Sequence, residues 1–205
     1  MRYPVGFTST RRVAISAGLA LDLLLSGVAQ GPQARLPRKQ VFRPAPRFVR
    51  SLSTRQNLLG FSMQLPKGFK IISSKKHGSK SEAIVAGTKQ RDGQQLRIWI
   101  TLDRTAHVGQ RDEDLTKLAR QVALSGPHPA AQWKQGMLQM GTIGGVIFAR
   151  VPLFGSKGSQ RWQFVTYLGR LRHGALQMTL GDTLPHGAMN MALAESAIRT
   201  YEPAK

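Results

Sequence analysis

Half of the thirty Lys and Arg residues stand in the first eighty positions, where they face a single acid, Asp22. From position 81 onward fifteen basic residues face nine acids, so the net charge of +20 divides into +14 and +6. A stretch with that much like charge and few apolar residues buries too little surface to offset the entropy of ordering it. The later part has apolar residues recurring at strand and helix periods, and it can build a core. The charge split therefore predicts a basic leader followed by one domain of ordinary size, which is what 205 residues have room for.

The leader divides again. Arg2, Arg11 and Arg12 precede an apolar run at 13–25, and the small residues Gly27 and Ala29 follow it. Basic region, short apolar region and small-residue site in that order read as a secretory signal over residues 1–29. Thr10-Arg11-Arg12-Val13-Ala14-Ile15 loosely matches a twin-arginine export signal. Asp22 interrupts the run, at a cost of roughly 2.5–3.5 kcal/mol for an acid at a membrane centre. The run is also shorter than the ~20 residues of a spanning helix. An uncleaved anchor and an organellar transit peptide are the alternatives to a cleaved export signal.

Residues 30–56 are rich in Arg and Pro, with Pro32, Pro37, Pro44 and Pro46 among the cations. This composition predicts a disordered linker. Its basic residues Arg35, Arg38, Lys39, Arg43 and Arg47 are candidate contacts for an anionic partner, as are Lys75, Lys76 and Lys80 farther on. The simpler alternative is a solvated spacer between leader and domain.

In the body, Phe61, Met63 and Leu65 alternate with polar residues, and Pro66-Lys67-Gly68 supplies a turn. The chain continues extended over 69–72, and Lys75 to Lys80 read as a basic loop. A strand follows at 83–88. Leu96, Ile98, Ile100 and Leu102 then give the clearest two-residue period in the chain. Asp112, Glu113 and Asp114 open a helix, where the positive end of its dipole favours acids. Further strands are predicted at 136–140, 144–151, 161–168 and 175–180, with 152–160 as a connecting loop, and a last helix over 187–201. Closely spaced strands favour antiparallel pairing. The expected class is α+β: one central antiparallel sheet with helices packed on it.

The segment Gly60-Phe61-Ser62-Met63-Gln64-Leu65-Pro66-Lys67-Gly68-Phe69, together with the closing Ala197-Ile198-Arg199-Thr200-Tyr201, resembles the opening and closing segments of PsbP-like domains. The resemblance implies an α/β/α sandwich, a central antiparallel sheet flanked by helices, over residues 57–203. That family includes extrinsic subunits of photosystem II, a Ran-binding import factor and exported bacterial proteins of unassigned function. None of its metal- or partner-binding residues matches a position here, so none is carried over.

Chemistry is sparse. The chain has no cysteine, which excludes disulfides, thiolate catalysis and Cys-ligated zinc. His77, His107, His128, His173 and His186 stand in no metal-binding spacing, and each reads as a surface or turn residue. Gly155-Ser156-Lys157-Gly158 lacks the frame of a phosphate-binding loop, and no nucleophile elbow occurs. Trp99, Trp133, Trp162 and Tyr167, beside Arg97, Arg161 and Arg170, suggest either core packing or a base-stacking platform. The expectation is an exported, non-enzymatic binding domain, without cofactor, that associates with a protein or an anionic envelope surface. Its rivals are an RNA-associated basic protein of an organelle or ribosome-like assembly, and a small hydrolase or isomerase with a pocket between sheet and helix.

Overall fold

The alternation at 96–102 folds into the strand it predicts, with its four aliphatic residues buried on one side. The computed structural model describes residues 38–89, 95–124, 132–182 and 191–203, all within the unit Arg35–Lys205. The leader over 1–29, Arg35, His128 and His186 lie outside the described residues.

In chain order the first elements are β1 (Gln40–Val41), α1 (Pro46–Val49), β2 (Leu52–Leu58), β3 (Phe61–Pro66), β4 (Lys70–His77), β5 (Lys80–Ala86) and β6 (Leu96–Asp103). Then come α2 (Asp112–Leu124), β7 (Gln132–Gln135), β8 (Gln139–Ile143), β9 (Val146–Lys157) and β10 (Gln160–Arg170). The last are β11 (Ala175–Asp182), α3 (Met191–Ile198) and β12 (Glu202–Pro203). A large sheet runs β1-β8-β9-β10-β11-β6-β5-β4, with β7 also paired to β9. All its pairings are antiparallel except that of β1 with β8. A second sheet has the order β12-β3-β2.

Each face of the large sheet has its own core. On one face, Ile98, Ile100, Phe148, Tyr167 and Met178 pack against Phe61, Met63 and Leu65 of the small sheet and against Ala197 and Ile198 of α3. On the other, Val151, Leu153, Phe164 and Leu168 pack against Leu115, Ala119 and Ala123 of α2. Strand accounts for 55% of the described residues and helix for 17%. This overturns the expected α/β/α sandwich. With eight residues α3 is only about 12 Å long at 1.5 Å per residue, too short to cover a sheet face. A second sheet does most of that covering instead.

Three local expectations also change. Residues 38–56 are ordered as β1, α1 and the start of β2, so the disordered linker does not extend over them and the fold begins well before residue 57. Phe42 anchors this segment, 5% exposed and edge-on to Tyr167 at 5.6 Å. The Phe42 N–H donates to Thr142 O at 3.0 Å, and Lys39 pairs with Asp112 at 2.7 Å. One buried ring and a few fixed hydrogen bonds outweigh the like charge that composition reports. Residues 75–80 are not a loop but the end of β4, a two-residue turn and the start of β5; β4 is almost wholly exposed and its Ser73–His77 part is polar, so no apolar period marks it there. Residues 152–157 continue β9 through Pro152, which lies between the stretches paired with β8 and with β7, where a missing N–H disrupts neither ladder.

The docking of the N-terminal segment depends on Gly141, because a Cβ there would lie 2.5 Å from Gln40 O and 2.6 Å from the Phe42 ring. Gly141→Ala is expected to lift β1 and Phe42 at a cost of about 1–3 kcal/mol, as for other overpacked sites. Limited trypsinolysis reads this as faster cleavage after Arg47 and Arg50, since Pro44 protects the bond after Arg43. Cleavage at the wild-type rate would contradict it.

Candidate functional site

The strand register brings one end of the large sheet together from residues far apart in sequence. His77, Lys80, Asp103, Ala175, Arg170 and Ile147 are successive cross-strand partners from β4 to β9. Just beyond this row lie the β4–β5 turn, Arg104 after β6, the β8–β9 turn and the β10–β11 turn with Arg172 and His173. Gly174 closes the last of these at φ +106°, and a Cβ on it would lie 2.1 Å from Asp103 O. Only glycine lets that turn sit against β6.

Between this end and the small sheet lies an open cleft of about 670 Å³. Its wall is mainly apolar, with Leu59, Phe61, Leu102, Val146, Leu171 and Leu176 in it, and its polar side is basic: Arg104, Arg170, Arg172 and His173, with no acid among the lining residues. The β2–β3 turn forms one lip. Leu59 holds φ +52° and Gly60 +91°, a pairing that hairpins usually give to Asn-Gly. A leucine in the left-handed region costs about 1–2 kcal/mol. The return is an apolar side chain placed on the cleft wall. Arg104 reaches across toward this turn, its Nη2 standing 3.8 Å from where a Gly60 Cβ would be.

The four basic residues of the rim are not equivalent. Arg170 is committed to structure: its Nη1 donates to the carbonyls of Gly109 and Arg111 at 3.0 and 3.1 Å, and its Nη2 to Asp112 at 3.4 Å. Arg104 Nη1 donates to the Ser81 hydroxyl at 3.2 Å. Among the described residues neither Arg104 nor Arg172 is ion-paired, and both are exposed, as is His173. Lys80 pairs with Asp103 at 3.5 Å. Burial alone would raise the Asp103 carboxyl, but hydrogen bonds from Thr105 and the charge of Lys80 hold it below the ordinary value.

The sequence-predicted contacts do not form one patch. Arg38, Lys39 and Arg43 flank β1, at one edge of the large sheet, and Arg47 lies in α1, while Lys75, Lys76 and Lys80 lie on β4 and β5 at the other edge. Seven inter-strand steps of about 4.8 Å separate the edges, roughly 30 Å in all. Lys39 is paired with Asp112, and the Arg47 guanidinium sits 4.7 Å over the Phe48 ring. Of the lysines of β4 and β5, Lys76 shares the face of the cleft residue Leu102, whereas Lys75 and Lys80 lie on the opposite face. Arg104 and Arg172 were not among the sequence candidates; a basic residue directly after a strong strand, and an Arg-His-Gly turn, were the available signals.

The tryptophans pack inward. Trp162 is 9% exposed, Trp133 meets Phe164 edge-on at 5.5 Å, and Trp99 lies 6.0 Å from the same ring. These contacts favour core packing over a stacking platform. Among the described residues no group of His, Asp and Glu is arranged to hold a metal ion.

A second polar cluster lies under α3. Glu195 Oε1 accepts from Tyr167 Oη at 2.6 Å, from Arg199 Nη2 at 3.0 Å and from Arg150 Nε, while Arg199 Nε donates to Tyr167 Oη at 3.1 Å. Burial would raise Glu195, but the Arg150 and Tyr167 donors and the two guanidinium charges outweigh it and hold the carboxyl below its ordinary range. Burial and the Glu195 charge push the Tyr167 hydroxyl up. Each group is thus held firmly in its resting ionisation state, whereas proton transfer needs values near the working pH. The cluster ties α3 and the N-terminal segment to the large sheet.

No family model and no curated protein matches the chain. A solved crystal structure from Bacteroides thetaiotaomicron VPI-5482 is similar at 16% identity and a TM-score of 0.39, over 71% of this chain and 46% of that one. The chain thus spans about half the length of that protein.

Proposed function

We propose that this chain is a non-enzymatic binding domain that associates with an anionic envelope surface through the basic end of its large sheet. The observation that carries this reading is the rim. Arg104 and Arg172 stand exposed without carboxylate partners among the described residues, beside an apolar cleft, and Lys76 lies on the same face of the sheet as the cleft residue Leu102. A cation close to an anionic lipid surface contributes about 1 kcal/mol, so a handful of them gives useful but reversible attachment. Lipid fits this end better than nucleic acid, because the rim pairs its cations with aliphatic surface and the tryptophans that would stack bases are packed inward. An export signal over 1–29 puts the same surface within reach.

Co-sedimentation with vesicles tests this. The protein is expected to pellet with phosphatidylglycerol vesicles and not with phosphatidylcholine vesicles. The association should weaken steeply between 50 and 500 mM NaCl, as the screening length falls below ~10 Å. Equal binding to both lipids, or binding indifferent to salt, would reject the reading.

A further inference from the structure

We infer that the cleft takes one acyl chain, with its acidic head group held between Arg104, Arg172 and His173. This inference rests on the surface reading above and names the ligand class of the same site. Three observations converge on it. The cleft volume of about 670 Å³ lies within the range of small-molecule sites, roughly 300–1,000 Å³. Its wall is mainly apolar, with Leu59, Leu102, Val146 and Leu176 beside Phe61 and Tyr201, so it suits a hydrocarbon rather than a sugar or a nucleotide. Its basic side chains lie on two connections, Arg104 after β6 and Arg172 with His173 between β10 and β11, and no lining residue is an acid.

The separation of polarity selects the ligand. A small inorganic anion would leave the apolar wall wet, and a neutral hydrocarbon would leave the guanidiniums without a counter-charge. An amphiphile with one chain and one acidic group satisfies both. Leu59 agrees with this, since an apolar side chain is held in a left-handed turn at the cleft lip where Asn or Gly would be unstrained. A free fatty acid and an anionic phospholipid share this chemistry, and the two arms of the test separate them.

Isothermal titration of the full chain with dodecanoate, kept below micelle formation in vesicle-free buffer, is the test. Saturable binding of one dodecanoate per chain is expected, at least tenfold tighter than that of dodecanol. Val146→Trp, which fills the cleft, should weaken dodecanoate binding at least tenfold. Leu171→Trp, at a half-buried position, serves as the second blocking variant if Val146→Trp does not fold. Absence of saturable dodecanoate binding, or equal binding by folded blocking variants, overturns the inference. If vesicle association persists in that case, the surface reading stands without it. If dodecanoate binds and vesicles do not, the cleft is a site for a free acyl anion and the surface reading falls. A concentration-dependent dimer with no dodecanoate binding overturns the inference in favour of a second copy of this chain.

Discussion

Glu195→Ala is expected to cost about 3 kcal/mol of stability, the lower end of what breaking a buried ion pair costs, because it leaves two guanidiniums uncompensated. The side chain of Glu195 is 13% exposed and those of Arg150 and Arg199 are 16% and 24% exposed, so water offsets part of the loss. Alanine is a better helix former than glutamate, which returns only a few tenths of a kcal/mol on α3. The urea midpoint measures this, and an unchanged midpoint would contradict it. The pH dependence has a definite sign. Burial opposes the charge on Glu195, but its donors and the two arginines hold the folded carboxyl below its unfolded value. Its contribution is therefore complete above the unfolded value, about pH 4.3 for a free Glu, and is lost as pH falls from there through the lowered folded value. The gap between wild type and Glu195→Ala should be full at pH 7 and narrow in acid. A gap that widens in acid would show that the carboxylate is not held in this way.

Phe164→Ala is expected to cost about 3–5 kcal/mol, the usual range for emptying a large aromatic site. Phe164 is fully buried on β10, and Trp133 and Trp99 pack on its ring. Its space is reserved from the neighbouring strand, because a Cβ on Gly181 would lie 2.1 Å from the ring. Gly181→Ala should therefore destabilise as well, by about 1–3 kcal/mol through overpacking. Urea unfolding followed by tryptophan fluorescence reads both, since Trp99 and Trp133 report on this core. A Phe164→Ala midpoint within error of wild type would mean that this face of the sheet is not packed as described.

How much of this was legible follows from which residues carry local signals. Leu96 to Leu102 announce a strand because one face is buried and the other half-exposed, and Asp112 to Asp114 announce a helix start because the dipole favours acids there. Ser73 to His77 announce nothing beyond the extended start at 69–72, since an edge strand exposed on both faces needs no apolar period. Phe42 is a single aromatic among cations, and only the folded partner Tyr167 reveals that it anchors the N-terminal segment. The α/β/α expectation gave too much weight to two helices and overlooked Leu52 to Leu58 as a strand of a second sheet. The cleft was beyond reach for a different reason. It exists because β6 pairs with β11, which brings Arg104 beside Arg172 although 68 residues separate them in sequence, and no local pattern encodes that pairing.

The central claim is that the basic end of the large sheet, and not the Arg-rich N-terminal segment, meets the anionic surface. Two charge-reversed proteins, Arg104→Glu with Arg172→Glu and Arg43→Glu with Arg47→Glu, separate these possibilities at equal net charge. Their affinities for phosphatidylglycerol vesicles at 100 mM NaCl form the most direct measurement. The first pair should lose at least about thirty-fold, at ~1 kcal/mol for each cation removed, while the second keeps most of its affinity. Equal losses, or a larger loss for Arg43 and Arg47, would contradict the account.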